Sequence, residues 1–520
     1  MRFADGIHLP GIVFAQTDSG QLMPRSSIRA LMRFLTNPVS AFWLSIAVAA
    51  YCAVMPFYRA AMFLEVKYNE GWNAYNAATL AHHAAIYPAR YAWTMANYPV
   101  LSFFTIAQLS RFTHDYLYTG RFLSLLGLVL SCIFGGIIVL RLTTSRRTGL
   151  LAALLCLTIF CTDAHTYVGM DDPQLFAQAF FMAGLLLYVI YRDRPSVLVA
   201  VALLFVIGGN IKHNLIDFPL ALAIELFLVS RRRLILFVGL LALFEMPAFY
   251  FNVHVGGPFF IDQLLIPRRY FWYKPFAQSF DYYIVLLIPM AAALYACARS
   301  FRVPQRRVIA IYFAVSLVVG VYFSGGEGVS INAYFSNTLA LAMILGFFLQ
   351  DFGVPHPRLS GTAVQWNSAA TLILFFWMLI PLQCDDALFP LDNWHNLHAQ
   401  QQRFTAQVDF LRSHPGPALC ESILRCYYAE KPYVVDPFNS TSLIHAGKLD
   451  ENVLVSAIQA QQFSSIQFNR PPLSSGRPDA PPERFTPAVL QAVQQNYAPA
   501  LQDSDCTIYV PSHHPERALR

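Results

Sequence analysis

Charged residues are scarce in this chain of 520 residues. Asp, Glu, Lys and Arg make up 13% of it, whereas soluble globular proteins carry about 25%. Glycine and proline are not in excess, and no nucleic-acid-binding signature is present. With 56% hydrophobic residues and a mean hydropathy of +0.44, the composition excludes a disordered chain, a coiled coil and an ordinary cytosolic enzyme. The sequence therefore predicts a polytopic membrane protein.

Long apolar runs recur from residue 41 onward. A hydrocarbon core about 30 Å thick requires roughly 20 apolar residues per helix. We predict about eleven transmembrane helices, near 41–62, 120–141, 148–162, 174–191, 197–210, 214–229, 234–252, 282–299, 308–324, 333–350 and 365–382. The shorter apolar segment 97–112 is typical of a helix that lies in the membrane interface.

Basic residues beside these runs predict the orientation of the chain. Residues 1–38 lack the features of a signal peptide and carry Arg25, Arg29 and Arg33, which favours a cytoplasmic N-terminal tail. Alternate loops carry further arginines on the same side: Arg146, Arg147, Arg192, Arg194, Arg231, Arg232, Arg233, Arg299, Arg302, Arg306 and Arg307. An odd number of helices would then place the C-terminus outside the cell membrane.

The composition divides the chain into three regions. The tail 1–38 is followed by a transmembrane region, 39–382, with a long first outer loop at 63–119. Residues 383–520 are polar and about as numerous as in a small domain. There GPALCES and KPYVVDPF predict two short strands, LDENVLVSAIQAQQFSSIQF predicts a helix and a strand, and 470–483 predicts a loop. We expect a small extracytoplasmic α/β domain.

Four cysteines lie in this C-terminal region: Cys384, Cys420, Cys426 and Cys506. In an oxidising compartment they could form two disulfides in any of three connectivities, among which the sequence does not choose. Their spacing is a poor zinc signature.

The first outer loop contains the densest set of polar and aromatic residues. Glu65 and Glu70 follow the first apolar run, where a carboxylate can act as general base on a hydroxyl at the membrane surface. The alternative is a solvated acid or a pair with Lys67. The same loop supplies candidates for a substrate pocket: Glu65, Trp72, Tyr75 and His83, with His82 beside the last. The histidines with either glutamate could bind a divalent metal, which the sequence leaves open.

Asp171 and Asp172 stand at the start of another apolar run, where adjacent carboxylates are costly near hydrocarbon. Asp172 followed by Pro173 also forms a good helix start. This interpretation leaves Asp171 as the freer of two candidate catalytic acids.

Basic residues on the outer side run against the positive-inside bias and therefore call for an explanation. Lys212 lies between two apolar runs, and an aromatic-rich stretch carries Arg268, Arg269 and Lys274. They either bind an anionic lipid phosphate or anchor the chain in the interface. Glu327, in a glycine-rich loop, either faces a substrate pocket or lies in a tight turn.

One chemistry combines outer acids, outer cations and a lipid surface. A carboxylate deprotonates an acceptor hydroxyl, which attacks the anomeric carbon of a sugar carried on a lipid phosphate. Because phosphate leaves as a stable anion, no general acid is required, in contrast to a glycosidase. Cations or a metal stabilise the departing charge, and the anomeric configuration inverts.

The chain resembles the GT-C superfamily of integral-membrane glycosyltransferases, which includes aminoarabinose transferases and protein O-mannosyltransferases. YNEGWNAYNAATLAHHAAIYP, residues 68–88, resembles the acidic first-loop motif, and NYPVLSFF, residues 97–104, resembles a Tyr-Pro-Pro-Leu signature. The C-terminal stretch beginning GPALCES resembles the pattern after the last span of many members. Many members have Asp-Glu where this chain has Asn69 and Glu70, and Val100 replaces the second proline.

This resemblance implies a base at Glu70, a second outer-loop acid at Asp171 or Asp172, and Tyr98 in the substrate pocket. It implies a polyprenyl-phosphate sugar donor and a lipid, glycan or protein acceptor, with the site and C-terminal domain on the periplasmic face of the inner membrane. Two alternatives remain: a transporter or flippase of a lipid-linked anion, and a ligase or polymerase of lipid-linked glycans.

Overall fold

The computed structural model describes residues 34–35, 37–266, 268–352, 360–380, 390–469 and 484–512, without the side chains of 360–366 and 390–392. Residues 1–33 of the predicted tail, with its three arginines, as well as Cys384 and the loop 470–483, lie outside the described residues.

The described part of the apolar region consists of α-helices and short connections. The helices are α1 (Pro38–Ala60), α2 (Asn69–Ala81), α3 (Val100–Thr113), α4 (Tyr116–Thr143), α5 (Arg146–Thr162), α6 (Pro173–Tyr191), α7 (Val197–Ile211), α8 (Asp217–Val229), α9 (Arg231–Phe251), α10 (Phe260–Leu264), α11 (Lys274–Ile284), α12 (Leu287–Phe301), α13 (Arg307–Ser324), α14 (Phe335–Phe352) and α15 (Ser360–Trp377). Polar residues cap several of them in the expected manner: Asn37, Asp115, Ser145, Asp172 and Ser230 accept hydrogen bonds from first-turn amides of α1, α4, α5, α6 and α9.

Each predicted apolar run overlaps one of these helices, but the count of eleven spans is not confirmed. Six described helical segments are long and apolar enough to cross a membrane: Pro38–Ala60, Tyr116–Thr143, Pro173–Tyr191, Arg231–Gly256, Arg307–Ser324 and Ile331–Phe352. A seventh span exists if α11 and α12, which meet at a bend of 95°, are counted together. The predicted interfacial segment forms α3. The described part of the chain is therefore mainly helical and has six or seven candidate spans.

One end of the helix bundle is held together by arginines. Arg307 Nε lies 2.8 Å from Glu225 Oε2, and Arg306 Nη1 lies 2.9 Å from Asp351 Oδ1. Arg147 donates to the carbonyl of Pro38, and Arg192 donates to that of Pro304. These residues belong to loops that the sequence places on one side of the membrane. The side itself, cytoplasmic or not, stays a prediction.

The C-terminal region combines helices with a four-stranded sheet. Its elements are α16 (Pro390–Ser413), β1 (Ala418–Cys420), α17 (Ile423–Tyr428), α18 (Pro437–His445), α19 (Glu451–Gln459), β2 (Ser465–Phe468), α20 (Pro487–Asn496), β3 (Tyr497–Gln502) and β4 (Thr507–Pro511). The sheet order is β1-β2-β4-β3, with β1 parallel to β2 and the other pairs antiparallel. Leu419 pairs with Ile466, and Gln467 pairs with Ile508.

The structure corrects one predicted strand and settles one cysteine pair. KPYVVDPF forms no strand. Its Asp436 caps α18 instead, because aspartate before proline favours a helix start. Cys420 and Cys426 form a disulfide, whereas Cys506 is buried and free.

The first outer loop and the C-terminal region are packed into one unit. A Cβ added at Gly71 of α2 would lie 2.2 Å from the backbone nitrogen of Leu424 in α17, so only glycine permits this approach. Tyr75 donates to the carbonyl of Lys431 at 2.7 Å, and Tyr68 donates to Asp436 at 2.5 Å. This packing builds the candidate site between two segments that are far apart in sequence.

Candidate functional site

A cavity of about 360 Å³ lies where the first outer loop, the loops after α7 and α13, and the start of α18 meet. This size is in the range of small-molecule sites. It is lined by six of the predicted site residues, namely Trp72, Tyr98, Lys212, Arg268, Arg269 and Glu327. The other lining residues include several amides and aromatic rings: Tyr68, Asn69, Asn97, Tyr167, Asn214, Tyr270, Tyr322, Asn332, Phe438 and Asn439.

Glu70 is not among the residues lining this cavity. It is fully buried, and Arg121 of α4 holds both of its oxygens, through Nε at 2.7 Å and Nη2 at 2.8 Å. The backbone amides of Val66 and Asp171 also donate to the carboxylate, at 2.7 and 3.2 Å. The geometry therefore gives Glu70 a structural contact and leaves it no open path to a substrate in the cavity.

Asp171 also lies away from the cavity wall. Its carboxylate packs against Gly120 at the start of α4, where an added Cβ would lie 2.0 Å from Oδ1. Burial, followed by the charges of Glu70 and Asp172, raises the pKa of Asp171. Asp171 is enclosed by α4, and its Oδ2 has no hydrogen-bond partner among the described residues. The expectation that it is the freer of the two aspartates stays a prediction.

Asp172 combines a structural contact with access to the cavity wall. Its Oδ1 accepts from the amide of Gln174 at 2.9 Å and so caps α6, as the sequence predicts. Its Oδ2 accepts from the side chain of Asn69 at 3.2 Å and lies 3.6 Å from Lys212 Nζ. Asn69 and Lys212 both line the cavity. Asp172 is thus the predicted acid directly behind the cavity wall.

Lys212 ends α7 and is 2% exposed. Besides Asp172, its ammonium contacts the ring of Tyr98, whose centroid is 3.5 Å away. Burial lowers the pKa of Lys212 to about 8, although the carboxylate of Asp172 opposes this shift. A lysine with a pKa of about 8 is still mostly protonated at pH 7 and can bind an anion.

Arg268 is another cation of the cavity lining. Its guanidinium donates to the carbonyl of Glu327 at 3.2 Å and to Oδ1 of Asn439 at 3.0 Å, both of which are neutral acceptors. Within the described ranges, no carboxylate forms an ion pair with it, and burial lowers its pKa. The ring of Phe438 stacks at 5.3 Å from the guanidinium carbon. An unpaired guanidinium beside a cavity suits a phosphate.

Arg269 and Glu327 neutralise each other at the rim. Arg269 donates to Glu327 Oε1 from Nε at 2.8 Å and from Nη2 at 2.5 Å, and its amide donates to Oε2 at 3.2 Å. Burial opposes the shift, but these hydrogen bonds and the charge of Arg269 lower the pKa of Glu327. Glu327 is thus an anion already bound by arginine.

Besides Glu70, Asp171 and Asp172, four predicted site residues are not among those lining the cavity. Glu65 contacts Ser422 and Arg425, and Tyr75 stacks on Tyr433. His83 is exposed, and Lys274 donates to the carbonyls of Gly326 and Val329. Burial raises the pKa of Glu65, and Arg425 opposes this.

The described residues provide no set of ligands for the predicted metal. Among the residues that the structure describes, no group of three His, Cys, Asp or Glu side chains could hold a metal ion. The exposed histidines at 82 and 83 follow the end of α2 and are not cavity residues. A divalent metal therefore remains an open prediction.

Several site residues escape sequence reasoning. Phe438 and Asn439 come from the C-terminal region, and no local pattern connects them with the first loop. His213 and Asn214 flank a predicted cation but lack a motif of their own. Arg121 carries a detectable signal, since an arginine at the outer end of a span runs against the positive-inside bias.

Comparisons with known proteins identify the fold. No family model matches the sequence, and no curated protein matches it. The solved structure of ArnT from Cupriavidus metallidurans in the apo state has a TM-score of 0.60 and 11% identity, over 90% of this chain and 97% of that one. The structure of the same protein bound to undecaprenyl phosphate has a TM-score of 0.59 and 12% identity, over 91% and 98%.

At this identity the likeness concerns the fold, and it extends over almost the full length of both chains. The resemblance to the GT-C superfamily is thereby supported by the likeness of fold to ArnT. The chain has a GT-C-like fold similar to that of ArnT.

Proposed function

We propose that this protein is an inverting glycosyltransferase that moves a sugar from a polyprenyl phosphate to an acceptor hydroxyl at the outer membrane surface. One observation carries the proposal. A cavity of about 360 Å³ brings Lys212 and the unpaired Arg268 together in front of the carboxylate of Asp172. The likeness to ArnT, one of whose structures is bound to undecaprenyl phosphate, supports the lipid class of the donor.

In this proposal Asp172, rather than Glu70, is the general base. Among the described residues, Asn69 at 3.2 Å and Lys212 at 3.6 Å hold Asp172 Oδ2, and both are cavity residues. A small movement of Lys212 toward a bound phosphate would free this oxygen for an acceptor hydroxyl. Glu70, by contrast, is enclosed by Arg121 and two backbone amides.

The reaction then proceeds in one displacement. Asp172 accepts the hydroxyl proton, and the oxygen attacks the anomeric carbon from the face opposite the phosphate. The bond between this carbon and the phosphate oxygen breaks, so polyprenyl phosphate leaves with the electron pair. Lys212 and Arg268 stabilise the anion as its charge develops. The new glycosidic bond has the opposite anomeric configuration.

Sugar transfer from a panel of radiolabelled polyprenyl-phosphate sugars to an envelope extract tests this assignment. We expect Asp172→Asn to slow the release of polyprenyl phosphate at least about 100-fold, as for loss of a general base, with donor binding retained. Asp171→Asn is the matched control, because it makes the same chemical change one residue away. It should retain most of the activity.

Two outcomes contradict the proposal. Full activity in Asp172→Asn would exclude Asp172 as the base. If the wild-type protein released polyprenyl phosphate from no donor in the panel, the transferase assignment itself would fail, and transport of a lipid-linked anion would become the leading hypothesis.

A further inference from the structure

A second cavity lies at the end of the helix bundle that carries the clustered arginines. Its volume is about 380 Å³, and it opens between the starts of α1 and α5. It is lined by three residues from each of these helices: Pro38, Val39, Phe42, Arg146, Arg147 and Leu150. Residues three or four apart share one face of a helix, so each helix presents one face of its first turns to this site. We call it the arginine cavity.

The two arginines of this cavity carry uncompensated charge. Arg147 is partly buried and donates from Nη2 to the carbonyl of Pro38 at 3.0 Å, which is a neutral acceptor. Arg146 is exposed. Within the described part of the chain, neither guanidinium forms an ion pair with a carboxylate. The arginine cavity therefore has two positive charges and an otherwise apolar lining.

Two carboxylates at this end of the bundle are already bound by other arginines. Arg306 binds both oxygens of Asp351, and Arg307 binds both oxygens of Glu225. Gln350, the neighbour of Asp351 in the chain, accepts a hydrogen bond at 2.9 Å from the first turn of α5. The acid nearest in sequence to this contact is thus engaged elsewhere, and an anion for the arginine cavity must come from outside the chain.

The arginine cavity lies at a membrane surface, because α1 is one of the candidate spans and begins there. Leu150 follows Arg146 by four residues and is therefore about 6 Å farther along α5. Val39 and Leu150 are 65% and 47% exposed, and Phe42 lies one turn beyond Pro38. The guanidiniums are thus at the level of lipid headgroups, with exposed apolar side chains beside and beneath them. This order matches an amphiphile that has an anionic head and acyl chains.

The lining also distinguishes between classes of ligand. A water-soluble anion would leave the apolar side chains uncovered. A zwitterionic lipid would bring an ammonium group next to two guanidiniums, and the described lining contains no carboxylate to balance it. An anionic phospholipid satisfies both parts of the site, since guanidinium groups bind phosphate oxygens and the apolar side chains cover acyl chains.

The arginine cavity is separate from the candidate functional site. The 23 residues of α1 place its two ends about 34 Å apart. Pro38 stands at the arginine cavity, whereas the carbonyl of Ala60 accepts from Arg121, the partner of Glu70. A lipid bound between α1 and α5 therefore lies at the opposite end of the bundle from the proposed donor phosphate.

We propose that the arginine cavity binds an anionic two-chain phospholipid, whose phosphate contacts Arg146 and Arg147 and whose acyl chains lie along Val39, Phe42 and Leu150. This lipid bridges the starts of α1 and α5. Since only 33% of the apolar stretch of α1 is buried within the protein, the bridge adds contact where the helix has little. The inference does not depend on the proposed function.

Native mass spectrometry of the purified full-length protein tests this proposal. The protein in detergent is titrated with dioleoylphosphatidylglycerol and, in parallel, with dioleoylphosphatidylcholine, which has the same acyl chains. We expect the first phosphatidylglycerol molecule to bind at least about fivefold more tightly, because each basic side chain at a membrane surface strengthens binding of an anionic lipid by about that factor. In nanodiscs of phosphatidylcholine, added phosphatidylglycerol should raise the temperature of thermal unfolding.

Three variants locate the site. Arg146→Gln and Arg147→Gln should each weaken phosphatidylglycerol binding about fivefold and leave phosphatidylcholine binding within about twofold of wild type. Arg232→Gln is the matched control, because Arg232 is an exposed arginine in the first turn of α9 that does not line the cavity. It should change neither affinity by more than about twofold. Arg146 is exposed, so its variant remains informative if loss of the contact between Arg147 and Pro38 impairs folding.

Three results would overturn the proposal. The first is equal binding of the two phospholipids by the wild-type protein. The second is a preference for phosphatidylglycerol that Arg146→Gln retains, or that Arg232→Gln loses to the same extent, since either would assign the preference to general surface charge. The third is tighter binding of polyprenyl phosphate than of phosphatidylglycerol, lost in Arg146→Gln, because the cavity would then be a site for the single-chain lipid.

Discussion

We expect the ion pair between Glu70 and Arg121 to contribute stability rather than chemistry. The two residues are 0% and 1% exposed, and two contacts of 2.7 and 2.8 Å join them. Glu70→Gln keeps the shape of the side chain but leaves the guanidinium charge unbalanced. Breaking a buried pair costs about 3–5 kcal/mol. Because the carbonyls of Ala60, Met62 and Leu64 still hold Arg121, we expect the lower end, about 3 kcal/mol.

Unfolding of the purified protein in detergent, followed by intrinsic fluorescence, measures this loss. A double-mutant cycle with Arg121→Met isolates the pair, and we expect a coupling free energy of about 1–3 kcal/mol. Asp351→Asn is the matched control. Its partner Arg306 is 14% exposed and Asp351 itself is 25% exposed, so breaking that pair should cost only about 1 kcal/mol or less.

The activity of Glu70→Gln distinguishes a structural role of Glu70 from a catalytic one. Measured at a temperature where the variant is fully folded, sugar transfer should stay within about tenfold of wild type, well short of the effect of losing a general base. If Glu70→Gln were as stable as the wild type but transferred sugar about 100-fold more slowly, this reasoning would be refuted. It would return the general base to Glu70, as the sequence resemblance implies.

Four further predictions follow from other contacts. Gly71→Ala should destabilise the protein by about 1–3 kcal/mol, as overpacking does, because the added Cβ would lie 2.2 Å from the backbone of Leu424. Gly209→Ala is the control: no atom lies within 4 Å of its added Cβ, so the same unfolding assay should show no such loss. Because the pKa of Lys212 is lowered from 10.5 to about 8, affinity for a polyprenyl phosphodiester should fall as the pH rises through about 8. Lys212→Arg should remove this fall. An unchanged pH dependence in the variant would contradict the assignment. The same shift means that the folded protein loses the Lys212 proton at lower pH than the unfolded chain does. The contribution of Lys212 to the free energy of unfolding should therefore rise between about pH 8 and 10.5. Finally, Cys420 and Cys426 should resist maleimide labelling in intact cells until a reductant is added, and labelling without reductant would show that the pair is not oxidised there.

Local features of the sequence determine much of the fold. Apolar runs fix where helices lie, because buried or lipid-facing helices need uninterrupted hydrophobic surface. Asp172 followed by Pro173 predicts the start of α6, and the structure shows the cap. Lys212, Arg268 and Arg269 stand out as outer cations against the positive-inside bias, and all three line one cavity. Each of these predictions depends only on residues that are neighbours in sequence.

The identity of the acid at the cavity depends on tertiary structure. Asn69 and Glu70 are consecutive in α2, where successive side chains point about 100° apart. The orientation of α2 against α4 therefore decides that Asn69 reaches the cavity while Glu70 meets Arg121. No spacing or composition in the first loop encodes that orientation.

The sequence by itself predicted a helical membrane chain, a group of cations that later proved to share a cavity, and a short set of candidate acids, since hydrophobicity and charge act locally. Which of these cations and acids lie together at the cavity was decided by the tertiary structure alone. Phe438 and Asn439 reach the cavity because Gly71 lets α2 approach α17 and because Tyr68 binds Asp436. These contacts join segments more than 300 residues apart, and their geometry follows from packing of the whole chain.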